Sequence, residues 1–84
     1  MNDWIARYAA ALARRLDGPA AAPMTAEVTE LILDLARVVA HGTERKNAPL
    51  ATYLAGDFAS ARAAQGGDTV DAIREALALV QEVE

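Results

Sequence analysis

The chain has no cysteine, one histidine, one tryptophan, one phenylalanine and two tyrosines in 84 residues. Without cysteine there are no disulfides, no thiolate zinc sites and no thiol nucleophile. A single histidine, His41, leaves a zinc or iron site short of ligands. Asp34 lies two turns before it, and Arg37 stands between them on the same helical face, where a cation opposes a metal. Basic residues are also few: 8 Lys and Arg face 12 Asp and Glu, for a net charge of -4. Broad binding to nucleic acid or to an anionic membrane needs a basic face, so both are disfavoured as partners. No apolar run has the length needed to span a bilayer, and Asp3 sits where a secretory leader carries basic residues. The expected location is therefore the cytoplasm, where a cysteine-free chain is at home.

What the chain has in abundance is alanine, 21 residues of it. Alanine loses no side-chain entropy in a helix and lets neighbouring helices approach closely. Apolar residues make up 54% of the chain and charged residues 24%, too apolar a balance for disorder. The length fits one domain over residues 1–84, with no internal repeat.

Four segments carry the helical period. The first runs from about Asn2 to Leu16, with Trp4, Ile5, Tyr8, Leu12 and Leu16 on one face. Asp3 and Arg7 form an i,i+4 pair, and Asp17-Gly18-Pro19 stops the helix. Thr25 is a natural N-cap for the second helix. Its stripe is Val28, Leu31, Ile32, Leu35, Val38 and Val39, and Gly42 is placed to close it in the left-handed conformation. Pro49 suits the opening of the third helix, whose inner face is expected to be Leu50, Tyr53, Leu54, Phe58 and Ala61. Gly66-Gly67 ends that helix, and Asp68 caps the fourth. Val70, Ile73, Leu77 and Val80 form the fourth helix's stripe, with Leu79 and Val83 to one side of it. Short connections favour antiparallel neighbours, so the expected fold is all-α, a small up-down four-helix bundle. Its core is expected to contain Trp4, Leu35, Leu50 and Leu54.

Catalytic candidates are sparse. Ser60, Thr43, Thr52 and Thr69 lack a neighbouring base that would make a nucleophile of a hydroxyl. Asp71 with Glu75, and Glu82 with Glu84, read as a solvated helix face. Asp57 falls within the apolar arc of the third helix, and an exposed position at the bundle's edge is expected, because an unpaired buried carboxylate is costly. An independent enzyme would have only His41, Arg45 and Asp57 to work with. The most distinctive local feature is the turn before the third helix, where His41, Arg45, Lys46 and Asn47 gather beside a helix start. An anion is the ligand such a turn would take, although Glu44 stands in the same loop. No metal and no cofactor are expected.

The segment Leu33-Asp34-Leu35-Ala36-Arg37-Val38-Val39-Ala40-His41-Gly42-Thr43-Glu44-Arg45, followed by Ala48-Pro49-Leu50-Ala51-Thr52-Tyr53-Leu54-Ala55-Gly56, resembles a small bacterial domain of unknown function. That pattern reads L-D-L-A-R-x-V-A-H-G-x-x-R, then A-P-L-T-T-(F/Y)-L-x-G. Trp4 resembles a tryptophan near the family's start, while Asp57 departs from an apolar position. The family occurs alone or joined to molybdenum cofactor guanylyltransferase (molybdopterin-guanine dinucleotide biosynthesis protein A). The resemblance implies a non-catalytic accessory or interaction domain linked to molybdenum cofactor biosynthesis, with a protein partner such as the guanylyltransferase. A structural self-association module unrelated to the cofactor is the alternative. A homodimer through the fourth helix would then hide Leu79 and Val83.

Overall fold

Three of the chain's helices share two small apolar clusters, and their order along the chain sets their directions. In a computed structural model that describes residues 3–16 and 24–83, the helices are α1 (Asp3–Ala13), α2 (Ala26–Gly42), α3 (Asn47–Ala64) and α4 (Thr69–Val83), and no strand is present among the described residues. Val28, near the start of α2, packs with Ala59 of α3 and with Ala72 and Ile73 at the start of α4. Leu35 and Val39, further along α2, cluster with Ala55, and Ala51, Ala76, Leu77 and Val80 close around them. α2 and α4 therefore run in the same direction, packed on each other, with α3 antiparallel to both. The expected small all-α bundle is present, and its packed body is α2, α3 and α4.

Each boundary has a local chemical cause. The Thr25 hydroxyl accepts from the Val28 amide at 3.1 Å and caps α2. Asp68 does the same for α4, taking the Asp71 amide at 3.0 Å. α3 ends in a Schellman motif: the Gly67 amide reaches the Arg62 carbonyl at 2.7 Å and the Gly66 amide reaches Ala63 at 3.0 Å. Gly66 stands at φ 88°, where a side chain would be strained. A Cβ on Gly67 would come within 2.9 Å of the Arg62 carbonyl oxygen. Gly42 does not take the left-handed role expected of it. It stays inside α2, and the chain leaves through Thr43 at φ −131°, whose amide bonds the Val39 carbonyl. The expected stop at Asp17-Gly18-Pro19 and the loop up to Pro23 lie outside the described residues, as do Asn2 and Glu84.

Two expectations about the core are overturned. Leu35 is buried, 2% exposed, but Leu50, Tyr53 and Leu54 are 62%, 77% and 65% exposed. α3 buries Ala55 and Ala59 instead, with Ala51 and Phe58 half-buried and Ala61 on the surface. α3 is apolar nearly all round, so hydrophobicity alone does not fix its rotation. The alanine line faces inward, as its small side chains let α3 sit close to both neighbours. Trp4 is the second correction. It is 58% exposed, because no Cα of α1 lies within 8 Å of α2, α3 or α4 among the described residues.

Across the body, Arg74 of α4 pairs with Glu27 of α2 at 2.7 Å, and Arg62 of α3 pairs with Glu75 of α4 at 3.0 Å while lying over the Phe58 ring. Both pairs are exposed, so each contributes about 0.2–1 kcal/mol. The apolar clusters carry the larger share of the stability.

Candidate functional site: an apolar groove between α3 and α4

Turning alanines inward leaves large side chains outside. Leu50, Leu54 and Phe58 succeed one another at i,i+4 steps along α3, and Leu79 and Val83 follow Ala76 on α4. Between these rows lies a groove of about 280 Å³ with Leu35 and Ala55 at its floor and Leu54, Phe58, Leu79 and Val83 among its walls. It continues into a second hollow of about 300 Å³ that shares Ala51, Leu54, Val80 and Val83 and ends at Val39, Thr43 and Asn47. Among the described residues, the polar side chains at that end are Thr43 and Asn47, and they are already engaged. The Thr43 hydroxyl donates to the Val39 carbonyl at 2.7 Å, and the Asn47 amide donates to the Thr43 oxygen at 3.1 Å. The long wall is thus hydrocarbon, with Asp57 and Glu82 on its outer borders, three residues beyond Leu54 and Leu79 respectively. Both carboxylates are exposed, and neither has a cation within 4 Å among the described residues.

A further hollow, between α2 and α4, is more polar. Arg74 and Gln81 join Leu31, Val38, Leu77 and Ala78 around about 530 Å³. α1 carries an apolar stripe of its own. Trp4 and Tyr8 stack with ring centroids 5.1 Å apart, Leu12 follows, Leu16 lies past the helix end rather than in its expected last turn, and all four are exposed. Asp3 and Arg7 pair on the flank of this stripe, as their spacing leads one to expect.

The four residues singled out at the α2–α3 turn do not converge. His41 is exposed in the last turn of α2. Lys46 pairs with Glu44 at 3.4 Å. Asn47 turns back to Thr43, and Arg45 is exposed with no carboxylate within 4 Å among the described residues. His41, Arg45 and Lys46 line none of the three hollows. The free amides expected at the start of α3 are also taken. The Asn47 amide bonds the Glu44 carbonyl at 2.9 Å, the Ala48 amide bonds Arg45 at 3.2 Å, and Pro49 has no N–H. A helix start attracts anions through unpaired N–H groups, and this one has spent its first amides on its own turn.

Other candidates are equally plain. Asp57 is exposed, as expected. Among the described residues no group of three or more His, Asp or Glu side chains could hold a metal, and no helix is long and apolar enough to cross a membrane. Sequence reasoning placed Leu50 and Leu54 on the wrong side of α3. The signal that could have corrected it is the Ala51-Ala55-Ala59 line at i,i+4 spacing, a second and smaller apolar face on the same helix.

No curated protein and no solved structure matches the chain. A family model does, over residues 1–84, and the chain belongs to that family, the Domain of unknown function (DUF6457).

Proposed function

We propose that this domain is a non-catalytic accessory module that works by docking, that its α3–α4 groove is the working surface, and that the process it serves is molybdenum cofactor biosynthesis. One observation carries the docking reading. Leu54, Leu79 and Val83 are exposed and line one apolar groove, on helices that already have a packed core beneath them. Monomeric proteins rarely leave large contiguous apolar patches wet, and such patches mark interaction sites. A straight groove between two helices, walled by leucine and valine, fits the apolar face of a third helix. The link to the cofactor rests on the resemblance of residues 33–56 to the domain joined to molybdenum cofactor guanylyltransferase.

The test is a titration of labelled domain with purified molybdenum cofactor guanylyltransferase, alongside Leu54→Glu. Saturable binding by the wild type that is lost in Leu54→Glu supports the reading. Absence of binding at about 100 μM, equivalent to a standard binding free energy weaker than about −5.5 kcal/mol, removes the cofactor link.

The second reading is self-association unrelated to the cofactor, favoured by the exposure of Leu79 and Val83 on α4. An anion at the α2–α3 turn is a smaller proposal, resting on the Arg45 guanidinium. Phosphate or GTP shifting the amides of residues 41–50, with the shifts lost in Arg45→Ala, would support it. Unmoved amides at millimolar ligand would remove it.

A further inference from the structure

The chain carries both halves of a complementary pair, and its own copy of one half is not seated in the other. Resting on the reading of the α3–α4 groove as a docking surface, we infer that the groove's occupant is α1 of a second copy of this chain, the two copies exchanging α1 helices reciprocally.

Length is the first argument. On α1, Trp4, Tyr8 and Leu12 stand at successive i,i+4 steps, a span of about 12 Å at 1.5 Å per residue. The lining residues Ala51 to Phe58 span about 10 Å on α3, and Ala76 to Val83 span about 10 Å on α4. One apolar stripe of three turns therefore lies along one groove of matching length.

Charge is the second. The α1 segment, residues 3–16, carries Arg7, Arg14 and Arg15 against Asp3, whereas residues 24–83 carry nine Asp and Glu against five Lys and Arg. Arg14 and Arg15 form the turn that follows α1, and neither has a carboxylate within 4 Å among the described residues. The groove's borders present the free carboxylates of Asp57 and Glu82. An amphipathic helix followed at once by two unpaired arginines thus meets an acid-bordered hollow, which steers encounter and disfavours the like-charged alternatives.

Symmetry is the third. Each copy would offer the same stripe and the same groove, so two copies satisfy each other in a closed two-fold arrangement that leaves no open end for further growth. The exchange covers Trp4, Tyr8, Leu12, Leu54, Leu79 and Val83 twice over, the aromatic and aliphatic anchors on which interfaces depend.

The chain's single tryptophan lies on α1, so its fluorescence reports the seating of that helix. The decisive sample pairs a Leu54→Glu chain, which keeps Trp4 but has a spoiled groove, with a Trp4→Phe chain, which is dark but has an intact groove. Leu54 is 65% exposed, so the glutamate leaves the body folded, and circular dichroism checks this. The expected result has three parts. The wild type has twice the 8.9 kDa chain mass by light scattering and emits at short wavelength. Leu54→Glu alone emits at long wavelength and dissociates at least about tenfold more readily. Adding the Trp4→Phe chain moves that emission back to short wavelength, since Trp4 can reach an intact groove only on the other chain. Three results would overturn the inference. A wild type whose Trp4 emits as in water at every concentration has no seated α1. A blue wild type whose Leu54→Glu emission ignores the Trp4→Phe chain closes its own groove. A dimer that Leu54→Glu dissociates without a change in Trp4 emission uses the groove without α1. That last result leaves the docking reading standing, whereas a dimer indifferent to Leu54→Glu removes the groove reading as well.

Discussion

α2 and α3 are nearly equal in length, 17 and 18 residues, and lie side by side, yet they spend their apolar residues in opposite ways. α2 turns most of its large residues inward, burying Val28, Leu35 and Val39, and shows Glu30, Asp34 and Arg37 to water, with Leu33 the one exposed leucine on it. α3 turns alanines inward and shows Leu50, Tyr53 and Leu54. A helix with one apolar face has one way to pack. A helix with two chooses by fit, and against the branched side chains of α2 the thin face fits better, because close-packed interiors favour large against small. The face left over is then free for another purpose.

This contrast can be broken most forcefully at Leu35. Leu35→Ala removes the largest fully buried side chain and leaves a cavity, and is expected to cost about 2–5 kcal/mol in urea denaturation. A cost below about 1 kcal/mol would mean that α2 does not bury this face. The matching test on α3 is Ala59→Leu. Ala59 is 2% exposed between Val28, Ala72 and Ile73, so the added side chain overfills the site, with an expected loss of about 1–3 kcal/mol. Were the leucines of α3 inward and the alanines outward, the same change would be neutral. Thr25→Ala sharpens the comparison at the helix start and should cost about 1 kcal/mol through the lost cap on the Val28 amide. The smallest effect belongs to the exposed face. Tyr53→Ala is expected to change stability by less than about 0.5 kcal/mol, measured at concentrations low enough for a single chain. A loss of several kcal/mol there would bury the residue and refute the rotation of α3.

The same contrast explains what the sequence made legible. The wide stripe from Val28 to Val39 has a single hydrophobic direction, so the core of α2 follows from its period. The caps at Thr25 and Asp68 follow from oxygen chemistry, and the end of α3 follows from Gly66-Gly67, the second glycine being needed because a Cβ there would come within 2.9 Å of the Arg62 carbonyl oxygen. The direction of α3 does not follow from its own residues, since it depends on the shape of what it meets. Trp4 is misplaced for a related reason. Its stripe with Tyr8 and Leu12 says that α1 has an apolar side, but periodicity carries no information about which surface meets it, or on which chain. At the α2–α3 turn the basic residues were legible as an anion site. The pairing of Lys46 with Glu44, of the Asn47 side chain with Thr43, and of the Asn47 and Ala48 backbone amides with the carbonyls of Glu44 and Arg45 depends on the path of the turn, which composition does not encode.

The most direct measurement is a filtered NMR experiment on an equal mixture of isotopically labelled and unlabelled chains, which records proximities between chains and rejects those within one. Reciprocal exchange puts the Trp4 and Tyr8 rings of one copy against the methyl groups of Leu54, Leu79 and Val83 of the other, so cross-chain signals between these groups are expected. The same signals found only within uniformly labelled single chains, or Leu54 methyls showing neighbours from the core of their own chain, would contradict it.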